Sequence, residues 1–150
     1  MDTLPVLLLE TLRAALDARA AGWWGRTEAT LVQLAFTSAA DLPTDVAEAF
    51  ARATRSVPLS EVSLGIVKAA IESGVAASHA AELPPTEGSG LWLRRFAAER
   101  SVAVACGPIG DDAQPTWVVS VALAAAPPSD AELARRIREA TRRWTDPRDS

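Results

Sequence analysis

The sequence predicts an α+β domain built on an antiparallel sheet, and three observations predict it. Two alternating apolar runs, Ser101–Ile109 and Thr116–Ala126, are joined by the tight turn "GDDAQP", so they must pair antiparallel. The periodicities run helix, strand, helix, helix, short strand, helix, strand, strand, helix, which is not the strict alternation of a parallel βαβ sheet. Both ends of the chain read as amphipathic helices, placed side by side on the sheet. At 150 residues the chain suits one domain over 1–150, with a core from about residue 5 to 145 and a disordered tail at 146–150.

Each element has a local reason. Thr3–Ala21 is predicted helical, with Leu8, Leu12, Ala15 and Leu16 on one face, Pro5 in the first turn and Gly22 as its stop. Trp23-Trp24-Gly25-Arg26 then reads as a turn, with one tryptophan capping the edge of the core. Ala29–Ser38 alternates as a strand, with Val32, Leu34 and Phe36 facing one way. Thr44 or Asp45 is placed to cap a helix through Thr54 that turns Val46, Ala47, Phe50 and Ala53 inward. "SVPLSEVS" reads as a loop, after which Ser60 or Ser63 caps the helix Leu64–Ser73 and Gly74 closes it. "VAASHAA" is a short strand leading to the loop "ELPPTEGSG", and Ser89 or Gly90 begins the next helix, "LWLRRFAAER". In the two hairpin strands, Val102, Val104 and Cys106 share a face, and Trp117, Val119, Val121 and Leu123 oppose Val118, Ser120 and Ala122. Pro127-Pro128 ends the last strand, and Ser129 with Glu132 forms a capping box for a final helix reaching Trp144.

Composition excludes several classes. No apolar run approaches the roughly 18 residues of a membrane span, and Leu4–Leu9 lacks the basic flank and cleavage site of a signal peptide, so a cytoplasmic protein is expected. The single cysteine, Cys106, has no internal disulfide partner, which suits a reducing compartment. A net charge of −4 argues against a general nucleic-acid binder. The arginine-rich final helix is the one local exception, and a solvated helix face explains it.

Catalytic and metal patterns are sparse. With one histidine, His79, a Ser-His-Asp triad would need partners remote in sequence, and no G-x-S-x-G elbow is present. His79 and Glu82 are too few ligands for a metal, Asp111-Asp112 suits a solvated turn, and "GSG" lacks the Lys-Ser/Thr of a phosphate loop. Neither a metal nor a cofactor is therefore expected. Five tryptophans and three phenylalanines, with no tyrosine, bias the chain towards indole, whose flat apolar face and single N–H suit either a core or a planar ligand.

The order and spacing of these elements resemble a GAF domain over about residues 5–145. The resemblance is carried by the terminal helix pair, by "LGIVKAAIESG" followed by "VAASH", by "LRRFAAERSVAVACGPI", and by the turn into "WVVSVALA". It implies a five- to six-stranded antiparallel sheet, with the N- and C-terminal helices on one face and the middle helices over a small-molecule pocket on the other. Gly65 would let the pocket-side helix begin close to the sheet, and Gly74 would supply a positive φ into the edge strand. By the same resemblance Trp92 and Phe96 lie over the pocket, with Phe50, Ile66 and Ala70 as neighbours. Some GAF proteins reduce free methionine sulfoxide with several cysteines, and others attach a bilin through a cysteine next to a histidine. This chain has one cysteine, Cys106, followed by Gly107, so it lacks both patterns and Cys106 reads as a small buried hydrophobe.

The terminal helices add a second expectation. Leu8, Leu12 and Leu16 with Leu133, Ile137 and Trp144 form apolar stripes, and Leu4, Val6, Leu7 and Leu9 make the first helix apolar on more than one face. A homodimer through these helices is predicted, as the GAF resemblance also implies. The expected function is a small-molecule-sensing or protein-interaction regulatory module, with a signalling-protein partner to supply the output. Two alternatives stand beside it: a binding-only adaptor with a collapsed pocket, and an enzyme using Cys106 or His79.

Overall fold

The computed structural model describes residues 4–27, 29–58, 65–86, 88–106 and 117–144. The expected "GDDAQP" turn with Asp111-Asp112, the caps Thr3, Ser60 and Ser63, the tail 146–150 and the Cys106 side chain all lie outside the described residues. In chain order the elements are α1 (Leu4–Leu16), β1 (Ala20–Thr27), β2 (Thr30–Ser38), α2 (Thr44–Ala53), β3 (Ser56–Pro58), α3 (Gly65–Ser73), β4 (Val75–His79), a single 3-10 turn (Ala80–Glu82), α4 (Gly88–Arg95), β5 (Arg100–Cys106), β6 (Trp117–Leu123) and α5 (Asp130–Arg142).

The first helix ends earlier than its apolar pattern predicts. Asp17 takes a left-handed φ of 53°, and the Ala18 N–H donates back to the Arg13 carbonyl. The residues expected to finish the helix and turn form strand β1 instead, and it lies inside the sheet between β2 and β6. Nothing in "AAGWWGRT" alternates between apolar and polar, because β1 is covered on both faces and every residue from Ala20 to Gly25 is buried. Residues expected in a loop also pair: Ser56–Pro58 adds β3 to the edge at β2.

All six strands are antiparallel to their neighbours in the order β3-β2-β1-β6-β5-β4. Trp23 lies opposite Ala35 and Val119, and Trp24 lies opposite Gln33 and Val118. The β1–β2 register therefore skips Leu34, a bulge that breaks the alternation expected in β2. Leu34 packs with the terminal-helix core and Phe36 with the opposite core, so Val32, Leu34 and Phe36 do not share one face.

The sheet separates two cores. One holds Trp23, Val102, Val104, Trp117, Val119 and Val121 under Leu9, Leu12, Leu133 and Ile137 of the terminal helices. The other holds Trp24, Leu31, Ala103, Val118 and Ala122 under Phe50, Val67, Leu93 and Phe96 of the middle helices. Within the first core α1 packs on β1 and β2 while α5 packs on β5, so the two helices cover different strands of one face. Trp144 meets Trp23 at a 39° tilt with ring centroids 4.6 Å apart, and Trp117 meets Trp23 edge-on at 5.6 Å.

These positions revise the expected dimer stripe. Leu12, Leu133 and Ile137 are buried in the chain's own core, and Leu8, Leu16 and Trp144 pack partly against it. The apolar residues left outward on α1 include Val6 and Leu7, 42% and 61% exposed. The cap of α2 also differs: Pro43 precedes the helix and no side chain caps it. On α5 the Ser129 hydroxyl accepts from the Glu132 N–H, as the sequence predicts. Two of the α5 arginines are answered on their own helix: Arg135 pairs with Glu132 and Glu139, and Arg136 with Glu132.

One buried cation ties the sheet to α5. Arg100 is 5% exposed, and its guanidinium donates to the carbonyls of Ala124, Ala126 and Pro128 and to Asp130 Oδ1 at 2.8 Å. The other Asp130 oxygen lies 2.7 Å from His79 Nε2 at the end of β4. Burial alone would raise the Asp130 carboxyl, but its hydrogen bonds with His79 and Arg100 outweigh that and hold it below the usual carboxylate range.

Two outcomes are expected. Leu133→Ala lowers the unfolding free energy by about 2–5 kcal/mol in urea denaturation, while Leu7→Ala changes it by less than about 0.5 kcal/mol. Because Asp130 has a depressed folded pKa, its stabilisation is complete at neutral pH and is lost as pH falls through that value, below about 3.8. Denaturation midpoints from pH 7 to pH 3 should show Asp130→Asn less stable than the parent at pH 7, with a shallower acid decline.

Candidate functional site

On the face of the sheet away from the terminal helices, α2, α3 and α4 leave a cavity of about 50 Å³. Phe50 of α2 is the centre of its aromatic wall. Its ring lies 5.0 Å from Trp92, 5.1 Å from Phe96, 5.2 Å from Phe36 and 6.2 Å from Trp24, all but the Phe36 pair edge-to-face. Trp24 reaches this face because it follows Trp23 in an extended strand, where successive side chains point to opposite sides. Its indole N–H donates to the Thr54 carbonyl at 2.9 Å, which fixes the ring. The ring covers Gly22: a Cβ there would come within 2.1 Å of Trp24 Cη2. A second cavity of about 30 Å³ adjoins, sharing Trp24, Phe50, Phe96, Ser120 and Ala122 and including Gly22 in its lining.

The floor is made of small residues from the central strands. Ser101 of β5 and Ser120 and Ala122 of β6 line the larger cavity, and Ser89 of α4 adds a hydroxyl from the roof. Ser101 is 5% exposed, and its Oγ has no hydrogen-bond partner among the described residues. Ser120 sits mid-strand in β6 yet stays only half-buried. Among the described residues, no charged side chain lines either cavity.

Four of the five expected pocket residues, Phe50, Ile66, Trp92 and Phe96, line the cavity. Ala70 is fully buried in the same core without lining it. Gly74 has the expected positive φ, 94°, and its N–H caps the Ala70 carbonyl, turning α3 into β4. Gly65 begins α3 as expected, and its packing lies outside the described residues. Sequence reasoning missed Trp24, because β1 was read as a turn. It also missed the serines, although Ser120 stands out as the polar residue on the face of Val118 and Ala122.

The roof is tethered through Arg94 and through the Phe96 carbonyl that follows α4. Arg94 donates to the carbonyls of Gly90 and Ala80, tying α4 to the 3-10 turn beside His79. Arg19, in the link from α1 to β1, donates to the Phe96 carbonyl at 2.9 Å and pairs with Asp41 at 2.8 Å. That hydrogen bond from Arg19 is the main reason the Asp41 carboxyl sits below its ordinary range. Outside, the Arg95 guanidinium lies 5.1 Å from the centroid of the half-buried Trp92 ring.

Of the two alternative catalytic residues, the described residues settle the place of His79 alone. His79 faces Asp130 and lines neither cavity. Among the described residues, no three His, Cys, Asp or Glu side chains gather to hold a metal ion, and no helix is long and apolar enough to cross a membrane.

No protein-family model matches the sequence, and no curated protein matches it. Solved structures do. The PixJ GAF domain of Thermosynechococcus elongatus, in its blue-light absorbing form, aligns with TM-score 0.53 and 14% identity over 90% of this chain and 79% of its own. The GAF domain of a two-component sensor histidine kinase from Bacillus halodurans aligns with TM-score 0.54 and 11% identity over 90% and 91%. A type II free methionine-R-sulfoxide reductase from Thermoplasma acidophilum aligns with TM-score 0.58 and 12% identity over 94% and 89%. At such identities the likeness speaks for architecture alone, and the architecture of this chain is the GAF-domain fold.

Proposed function

We propose that this chain is a small-molecule-sensing regulatory module. The aromatic cavity between the sheet and α4 carries the reading: it is an apolar recess whose lining includes three serines, Ser89, Ser101 and Ser120. Resemblance to a PixJ GAF domain and to a sensor-kinase GAF domain supports it. Occupancy of the cavity displaces α4, and the terminal helices transmit that displacement to a partner. The tethers from Arg19 to the Phe96 carbonyl, and from Arg94 through the 3-10 turn to His79 and Asp130, support this coupling, since they join the roof to the ends of α1 and α5.

A second copy of the chain is the partner we assign to α1, through the outward face that carries Val6 and Leu7. The stripe of Leu12, Leu133 and Ile137 holds the protomer together and stays inside it.

The binding-only adaptor is the second reading, and the small volume of the cavity favours it, since about 50 Å³ is a third of the ~150 Å³ that admits benzene. Native mass spectrometry of protein purified from its own host separates the two. In the sensor, the wild type retains a small molecule and Trp92→Ala releases it. In the adaptor, no molecule is retained and Trp92→Ala only lowers stability, by less than the ~3–5 kcal/mol of a fully buried tryptophan. The same spectra report assembly: Leu7→Glu is expected to convert dimer to monomer with the thermal midpoint of the protomer unchanged. A wild type that is monomeric at tens of micromolar removes the dimer from the proposal.

A further inference from the structure

The lining of the cavity also restricts what it can hold, on the reading that it is a ligand site. We infer that its ligand is an uncharged, single-ring aromatic molecule carrying one hydrogen-bonding group, with the ring against Phe50 and Phe96 and the polar group on Ser101.

Charge is excluded by the walls. Among the described residues no lysine, arginine, histidine, aspartate or glutamate side chain lines the larger or the smaller cavity. An ionised ligand would lose its hydration there and gain no counter-charge. The Arg95 guanidinium lies over the Trp92 ring and does not line the cavity.

A flat ring is favoured by the geometry of the aromatic wall. Phe50 meets Trp92 and Phe96 at interplanar angles of 79° and 73°, so the wall presents both ring faces and ring edges. The floor adds no bulk, since Gly22, Ser120 and Ala122 carry at most two side-chain heavy atoms. Size limits the ligand to one ring. A cavity of about 50 Å³ admits even a single ring only when a wall moves. Trp92 is the wall that can: it is half-buried and sits on the short helix α4, whereas Trp24 is 1% exposed and held by Thr54.

The polar group follows from Ser101. Its hydroxyl is buried and unpartnered among the described residues, a state that costs stability and that a ligand donor or acceptor relieves. Ser120, on the neighbouring strand and facing the same cavity, keeps accessible surface in the middle of the sheet.

Three probes test this: p-cresol, toluene and benzoate, each titrated into ¹⁵N-labelled protein and followed at the Trp92 indole N–H and the Ser101 and Ser120 amides. The expected result is that p-cresol and toluene shift all three signals and benzoate shifts none. Ser101→Ala should weaken p-cresol about 3–10-fold, the worth of one neutral hydrogen bond, and change toluene by less than about twofold. The variant removes an unpaired hydroxyl, so its thermal midpoint should match or exceed the parent and folding does not confound the comparison. Benzoate binding as tightly as p-cresol, or p-cresol affinity indifferent to Ser101→Ala, overturns the ligand class and leaves the cavity as a ligand site. No shift at Trp92, Ser101 or Ser120 with any probe overturns the cavity reading itself.

Discussion

Two adjacent tryptophans in an interior strand hold this molecule together. Extended backbone sends Trp23 to one side of β1 and Trp24 to the other, so one dipeptide anchors both cores. Both rings are essentially inaccessible, at 0% and 1% exposure. An aromatic ring of this size removes about 150–250 Å² from water, which at about 25 cal/mol per Å² corresponds to roughly 4–6 kcal/mol for each, as an upper bound. Each ring then organises its own side. Trp23 receives Trp117 and Trp144 between the terminal helices, and Trp24 meets Phe50 and covers Gly22.

The two faces differ in how fully that anchoring fills them. On the terminal-helix side the strands offer Val102, Val104, Val119 and Val121, and Leu9, Leu133 and Ile137 interdigitate to leave these side chains inaccessible. On the other side the central strands present Ser101, Ala103, Ser120, Ala122 and Gly22, whose short side chains do not reach the roof. Aromatic rings from α2 and α4 span most of the gap, and the cavity is what they leave. A close-packed scaffold behind a loosely filled face is in keeping with the proposed sensing module, in which the scaffold holds its shape while α4 moves.

Arginines connect the loosely packed roof to the rest of the chain, mostly through carbonyl groups. Arg19, Arg94 and Arg100 all donate to backbone carbonyls at places where a helix or strand ends. Such bonds satisfy groups that a regular ladder cannot reach, and they fix the relative positions of segments far apart in sequence. The rest of the arginine-rich character has a simpler use, since Arg135 and Arg136 answer acidic residues on their own helix.

Local periodicity was enough for the last strand, its following helix and the stop of α3, though not for where α1 and α4 end. The alternation of Trp117, Val119 and Val121 against Val118, Ser120 and Ala122, the Ser129 cap and the Gly74 stop are all read from neighbours a few residues away, and they stand in the structure as read. Four pocket residues were also legible, through the order of elements rather than through any motif. What the tertiary structure alone decided is β1, the bulge at Leu34 and the β3 edge pairing. A strand buried on both faces carries no polar alternation to announce it, and a bulge or an edge pairing depends on a partner strand that lies elsewhere in the chain. For the same reason the apolar stripe of the terminal helices specified burial but not its partner. The sheet of the same chain claims Leu12, Leu133 and Ile137, and only the assembled fold shows which leucines it leaves outside.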